Sequence, residues 1–246
     1  MFSPAPPIAP TLRTHSLARQ AYGEIRNRIL RGELALGAVL SRRQLAAALQ
    51  MSVPPVSEAL QHLERDGLVE SKPRVGTRVR LPTAREIEDR GLVREALESQ
   101  SARLFAGRAT AEERENLSAM GRRVDQLYAC CEAKNSDRNF LFSVNSYHMS
   151  LHLRIAECAR CPALRDAIEK EQVLIFNWLY DTAVERRTLA ADHHARLTEA
   201  LARGTVEEAD AAMREHIRFG VREVLAKFNA EEGASWRRKK SPASAC

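Results

Sequence analysis

Five of the seven histidines in this 246-residue chain fall between His148 and His216, and their spacing suggests a shared chemistry. His148 and His152 are four residues apart, so on a helix they share one face and can both reach a single ion. Val144, Leu151 and Ile155 recur on that face, which turns the pair toward a core. His194 lies on a stripe with Leu197 and Leu201, and His216 on one with Ala209, Ala212, Met213 and Gly220. Three helices thus aim imidazole at one interior. A single inward histidine is ordinarily a hydrogen-bonded core residue. Four of them each need a partner once removed from water, and one shared divalent metal would satisfy all four. His193 competes with His194 for the same role, about 100° away around the helix. No glutamate lies between His148 and His152, where HExxH hydrolases keep their general base, so a metal-dependent hydrolase is the alternative reading.

The elements that would hold these residues are helices. From Thr83, which opens a capping box with Glu86, to about Ala230 the pattern shows no β-alternation. Six helices are expected, near 84–107, 111–133, 137–159, 162–187, 189–203 and 205–229, with breaks at Gly107, Asn135-Ser136, Cys161-Pro162 and Gly204. Their lengths and short connections predict an antiparallel bundle. Trp236–Lys240 and the residues after it read as a basic, disordered tail over 231–246.

Ahead of the bundle, Ser41 to Arg80 reads as a helix-turn-helix with a β-wing. Ser41 caps a short helix, with Gln44 completing the box, and Ser52 caps a second helix that tolerates Pro54 and Pro55 in its first turn. Val56, Ala59, Leu60 and Leu63 repeat at helical spacing until Asp66-Gly67 ends the run. Leu68–Glu70 and Thr77–Arg80 are expected as strands around a turn with Pro73 and Gly76. Arg13 to Arg80 carries 12 Lys/Arg against 6 Asp/Glu, so the whole formal charge of +6 resides here, as attraction to phosphate requires. The expected organisation is a disordered arm over 1–13, a winged helix-turn-helix over 14–82, an all-helical effector and dimerisation domain over 83–230, and the tail. The fold class is mainly α.

Other classes are excluded or bounded. No apolar run approaches the roughly 20 residues of a membrane span. Met1–Leu12 lacks the basic start of a secretory signal, and five cysteines, an odd number, point to a reducing cytoplasm. Cys158 and Cys161 form a lone CxxC, a weak motif without a second pair.

With these residues in view, the chain resembles the GntR superfamily of bacterial transcription regulators, in the FadR-like branch with an all-helical FCD effector domain. The resemblance runs from about His15 to Phe228. It is carried by Ile25–Leu30, Gly32, Leu45-Ala46, Ser52, Pro55-Val56, Glu58–Leu60, Leu63-Glu64, Asp66–Val69 and Gly76 in the reader. In the bundle it is carried by Arg94–Glu98, Leu151-His152 through Pro162, His194–Leu201 and Met213–His216. It implies a homodimer on a palindromic double-stranded DNA operator, acting as a repressor and controlled by a small anionic metabolite. It also implies a metal held by an Asp four residues before a His, plus two later His. The three His positions match His152, His194 and His216, while His148 stands where the family has Asp. A neutral ligand in place of an anionic one favours zinc or nickel over magnesium or manganese. The alternative is a regulator whose metal-free pocket takes an apolar ligand.

A second departure concerns DNA. Val53 and Ser57 occupy positions where the family usually has Arg, so the operator is expected to differ from the branch's usual one. Arg43, Ser52, Pro54, Ser57 and Gln61 are the candidate contacts to base edges or phosphates, with Arg74 and Arg78 on the wing. Arg94 is either the pocket cation for an effector carboxylate or the i,i+4 partner of Glu98.

Overall fold

The computed structural model describes residues 11–72, 76–133, 138–171 and 190–240, and its contacts divide the chain into two units, Met1–Leu81 and Pro82–Cys246. In the first, α1 (Thr11–Leu30), α2 (Arg42–Ala48) and α3 (Val53–Arg65) accompany β1 (Val39–Leu40), β2 (Val69–Lys72) and β3 (Gly76–Val79). The strands form an antiparallel sheet in the order β1-β3-β2, with Leu40 opposite Thr77 and Val69 opposite Val79. Ala21, Ile25 and Ile29 of α1 pack with Val56, Ala59, Leu60 and Leu63 of α3, all buried, and Val79 closes the core from the sheet.

Local chemistry sets the boundaries. Ser41 Oγ accepts the Gln44 backbone N–H at the start of α2. Ser52 holds the N-cap position of α3 without a side-chain cap bond, so its hydroxyl is not used by its own helix. At the other end Leu68 N–H donates to Leu63 O and Gly67 N–H to Glu64 O, a Schellman closure that requires the left-handed backbone Gly67 adopts at φ 78°. Strand β1 was not expected. Two residues carry no period, and Val39-Leu40 become a strand only by pairing with β3, far along the chain.

The second unit contains α4 (Ala84–Arg108), α5 (Ala111–Ala133), α6 (Arg138–Cys158), α7 (described over 162–171), α8 (His193–Arg203) and α9 (Val206–Lys240). Thr83 and Glu86 form the expected capping box, and Thr110–Glu113 and Thr205–Glu208 repeat it at the starts of α5 and α9. Phe105, Leu117, Val124, Leu151, Ile155, Leu197, Leu201, Met213 and Ile217 make one core. α4 packs on α9 and α6, and α5 on α8 and α6.

Two boundaries differ from expectation. α9 runs to Lys240, so 231–240 is helix where a disordered tail was expected. No proline interrupts the run before Pro242, and Gly233, the one glycine within 231–240, costs only about 1 kcal/mol. α1 begins at Thr11, inside the expected arm, whose first ten residues lie outside the described ones, as do the end of the fourth bundle helix and residues 241–246.

Candidate metal centre and nucleic-acid interface

The bundle brings its four expected histidines together. His148 and His152 come from α6, His194 from α8 and His216 from α9, and all are buried. The Nε2 atoms of His148, His152 and His216 form a triangle with sides of 3.1, 3.2 and 3.4 Å. Nitrogens about 2.05 Å from a tetrahedral zinc stand about 3.3 Å apart, so the triangle has the edge length of a coordination shell. Ligand atoms of His148, His194 and His216 likewise lie within 4.8 Å of one another.

Each ring is oriented from behind through Nδ1. His148 Nδ1 lies 3.1 Å from the Tyr128 hydroxyl, which itself donates to Asn145 Oδ1 at 3.1 Å, so the imidazole is the donor in the first bond. His194 Nδ1 donates to Asp125 Oδ1 at 2.7 Å. His152 Nδ1 faces Glu98 Oε2. His216 Nδ1 is 3.0 Å from Nε2 of His193, which is therefore an orienting neighbour in this arrangement. These partners assign the proton to Nδ1 in the rings facing Tyr128, Asp125 and Glu98, leaving Nε2 as the unprotonated nitrogen. Unprotonated nitrogens this close repel unless a proton or a cation lies between them. Burial first, then the neighbouring imidazoles, push His216 well below the usual histidine range, so the ring is neutral and carries a single proton. A borderline divalent ion fits the donor set.

Two carboxylates stand directly behind the imidazoles. Burial pushes Glu98 up, but the Arg94 guanidinium and His152 more than offset it and hold the acid at about 2. Burial raises Asp125 too, and hydrogen bonds from His194 and from the backbone N–H groups of His194 and Ala195 bring it below its ordinary value. The site thus carries negative charge directly behind the imidazoles, which offsets part of the charge of an ion held by neutral ligands.

Asp125 has a second task. Asp192 holds the N-cap position of α8 without making a cap bond, and Asp125 of α5 accepts the orphan N–H groups of His194 and Ala195 instead. The helices approach closely enough for this at Gly121, where a Cβ would fall 2.3 Å from Thr198 Oγ1 and 2.8 Å from the His194 carbonyl. Sequence reasoning missed Asp125, Tyr128 and Asn145. The available signal was that Gly121, Asp125 and Tyr128 recur at i, i+4 and i+7 beside the apolar stripe of α5. Arg94 pairs with Glu98 at 2.7 Å, both nearly inaccessible. Of the CxxC, Cys158 is buried in the core and its thiol is pushed up by that burial.

In the first unit, Pro54, Ser57 and Gln61 lie on the face of α3 opposite its buried stripe. Pro54 and Gln61 are exposed, as are Ser52 and Arg43, and Ser57 is half-buried. Arg78 is half-buried and paired with Glu70 across β2–β3. Arg74 lies outside the described residues. A concave surface of about 650 Å³ between α2 and the wing is lined by Arg42, Arg43 and Lys72, together with Leu40, Ser41, Ser71, Gly76 and Thr77.

Two family models match the chain. One, described as bacterial regulatory proteins of the gntR family, covers residues 17–79, and the FCD domain covers residues 92–219. A protein of Paenarthrobacter nicotinovorans described as a "probable D-xylose utilization operon transcriptional repressor" is 30% identical over 207 residues, spanning 82% of this chain and 86% of that protein. The HTH-type transcriptional repressor RspR of Escherichia coli is 23% identical, spanning 83% and 87%. Among solved structures, E. coli McbR/YncC superposes with a TM-score of 0.70 at 21% identity, over 86% of this chain and 98% of that one.

Proposed function

The chain belongs to the GntR family of bacterial regulatory proteins and carries an FCD domain; from that premise we propose that it is a cytoplasmic, homodimeric repressor of a palindromic operator, controlled by a small organic acid at a metal-containing pocket. That it is a transcriptional regulator, in a family of regulators and not of enzymes, follows from the family itself. No helix among the described residues is long and apolar enough to cross a membrane.

The observation that carries the pocket is the convergence of four buried imidazoles whose Nδ1 atoms are each held from behind. His148, His152, His194 and His216 would hold a divalent ion, zinc or nickel by donor type. When bound, the ion supplies an electrophilic anchor for a carboxylate oxygen. Tyr128, Glu98 and Asp125 keep three of the imidazoles in the tautomer that can ligate and His193 orients the fourth, while Arg94, paired with Glu98, is the cation proposed for the rest of the acid. On the reader, Arg43, Ser52, Pro54, Ser57 and Gln61 are proposed to meet base edges or phosphates, with Arg74 and Arg78 on the wing. Because α6, α8 and α9 all contribute ligands, a change at the pocket alters their packing, and we assign the response to a changed spacing of the two readers in the dimer.

The test is selection of bound genomic fragments, then operator titration with a panel of organic acids, before and after chelation. An acid that releases DNA from the untreated protein and fails after chelation supports the reading. Release that is indifferent to chelation would leave the metal without a part in regulation, and would favour the apolar-ligand alternative if only apolar compounds acted.

A further inference from the structure

Glu98 divides its carboxylate between two partners. Oε1 accepts from Arg94 Nε at 2.7 Å, one turn back in α4, while Oε2 faces Nδ1 of His152 on α6. All three side chains are almost wholly buried. Of the four groups that orient an imidazole, Tyr128 and Asp125 lie on α5 and His193 on α8; Glu98 alone lies on α4. That helix comes directly after β3 of the reader in the chain, with only residues 80–83 between.

We infer that Glu98 is the positioning residue through which occupancy of the histidine centre is passed to α4, with Arg94 setting the strength of the coupling. The inference rests on the metal reading proposed above and concerns its regulation. A cation on Nε2 draws charge from the ring and makes Nδ1–H a stronger donor, so His152 grips Glu98 harder. Reciprocity then requires Glu98 to strengthen cation binding by the same free energy. Arg94 competes for the same carboxylate. An anion that draws Arg94 away leaves more of the Glu98 charge to His152, so anion and cation bind with positive coupling. Glu95, three residues earlier in α4, is the internal control. It is also a largely buried glutamate, but it gives its oxygens to Arg214 and Arg218 of α9.

The experiment uses the full chain stripped by a chelator and titrated with zinc alone. Affinity is read by competition with a chromophoric chelator, and amide exchange is measured over residues 84–108. Zinc is expected to slow exchange in α4 of the unaltered protein. Glu98→Gln is expected to weaken zinc binding about 10- to 100-fold and, at saturating zinc, to remove the added protection of α4. Glu95→Gln leaves zinc affinity and zinc-dependent protection unchanged, even if it lowers stability. Arg94→Gln supplies a test of sign, because releasing Glu98 to His152 raises zinc affinity, which structural damage would not do. Failure of the unaltered protein to bind zinc overturns the metal reading itself. If zinc binds but Glu98→Gln retains both affinity and α4 protection, or Arg94→Gln weakens binding, the coupling is overturned and the metal reading stands.

Discussion

Asp125 joins two demands in one carboxylate, and substitution separates them. Its oxygens accept the backbone N–H groups of His194 and Ala195 at 3.0 and 2.8 Å and the His194 ring at 2.7 Å. Asp125→Ala removes a helix cap, worth about 1 kcal/mol, and leaves the buried Nδ1–H of His194 without its acceptor, worth about 1–3 kcal/mol. The sum is about 3 kcal/mol, or roughly 6–12 °C of melting temperature for a chain of this length. Asp125→Asn keeps one acceptor and, because Asn caps as well as Asp, retains much of the helix term. It presents an amide N–H₂ where a second acceptor stood. Thermal unfolding should therefore rank the wild type above Asn and Asn above Ala. Zinc titration should show both variants weakened about 10- to 100-fold, because both lose the charged orienting group. An Asp125→Ala melting point within a degree or two of wild type would refute the capping argument. Wild-type zinc affinity in Asp125→Asn would refute the role given to the charge behind His194.

Gly121→Ala places a Cβ 2.3 Å from Thr198 Oγ1 against helix backbone, so it should cost about 1–3 kcal/mol and lower the melting temperature; an unchanged value means α5 and α8 can part freely. Hydrogen bonds from Arg218, opposed by burial and aided by Arg214, hold Glu95 below its ordinary 4.5. Its contribution is therefore present above pH 4.5 and lost as pH falls through the folded value. The melting-point advantage of wild type over Glu95→Gln should shrink on acidification and not grow. Arg43→Ala should weaken operator binding, by about 1–3 kcal/mol if Arg43 reads a base, or uniformly across sequences with a salt slope about one unit smaller if it meets phosphate. Unaltered titration curves would remove Arg43 from the interface.

Features of short range were legible in the chain itself. The Thr83–Glu86 box, the Gly67 stop and the inward faces of α3 and α6 depend on residues within one or two turns, where helical geometry leaves few choices. The inward aim of His148, His152, His194 and His216 was readable for the same reason, as was the concentration of positive charge in the reader. What orients those histidines was not. Asp125 reaches His194 across 69 residues, and Glu98 on α4 meets His152 on α6. Strand β1 exists only through β3. The spacing of Gly121, Asp125 and Tyr128 marks one edge of α5, but which residue each partner meets leaves no periodic trace, because that depends on how closely two helices or strands approach. That distance is set by contacts such as the one at Gly121, which appear only when the whole core packs. Which residues face inward was thus a local property of the sequence, while which of them touch, and so which nitrogen of each imidazole carries the proton, was decided by the tertiary structure.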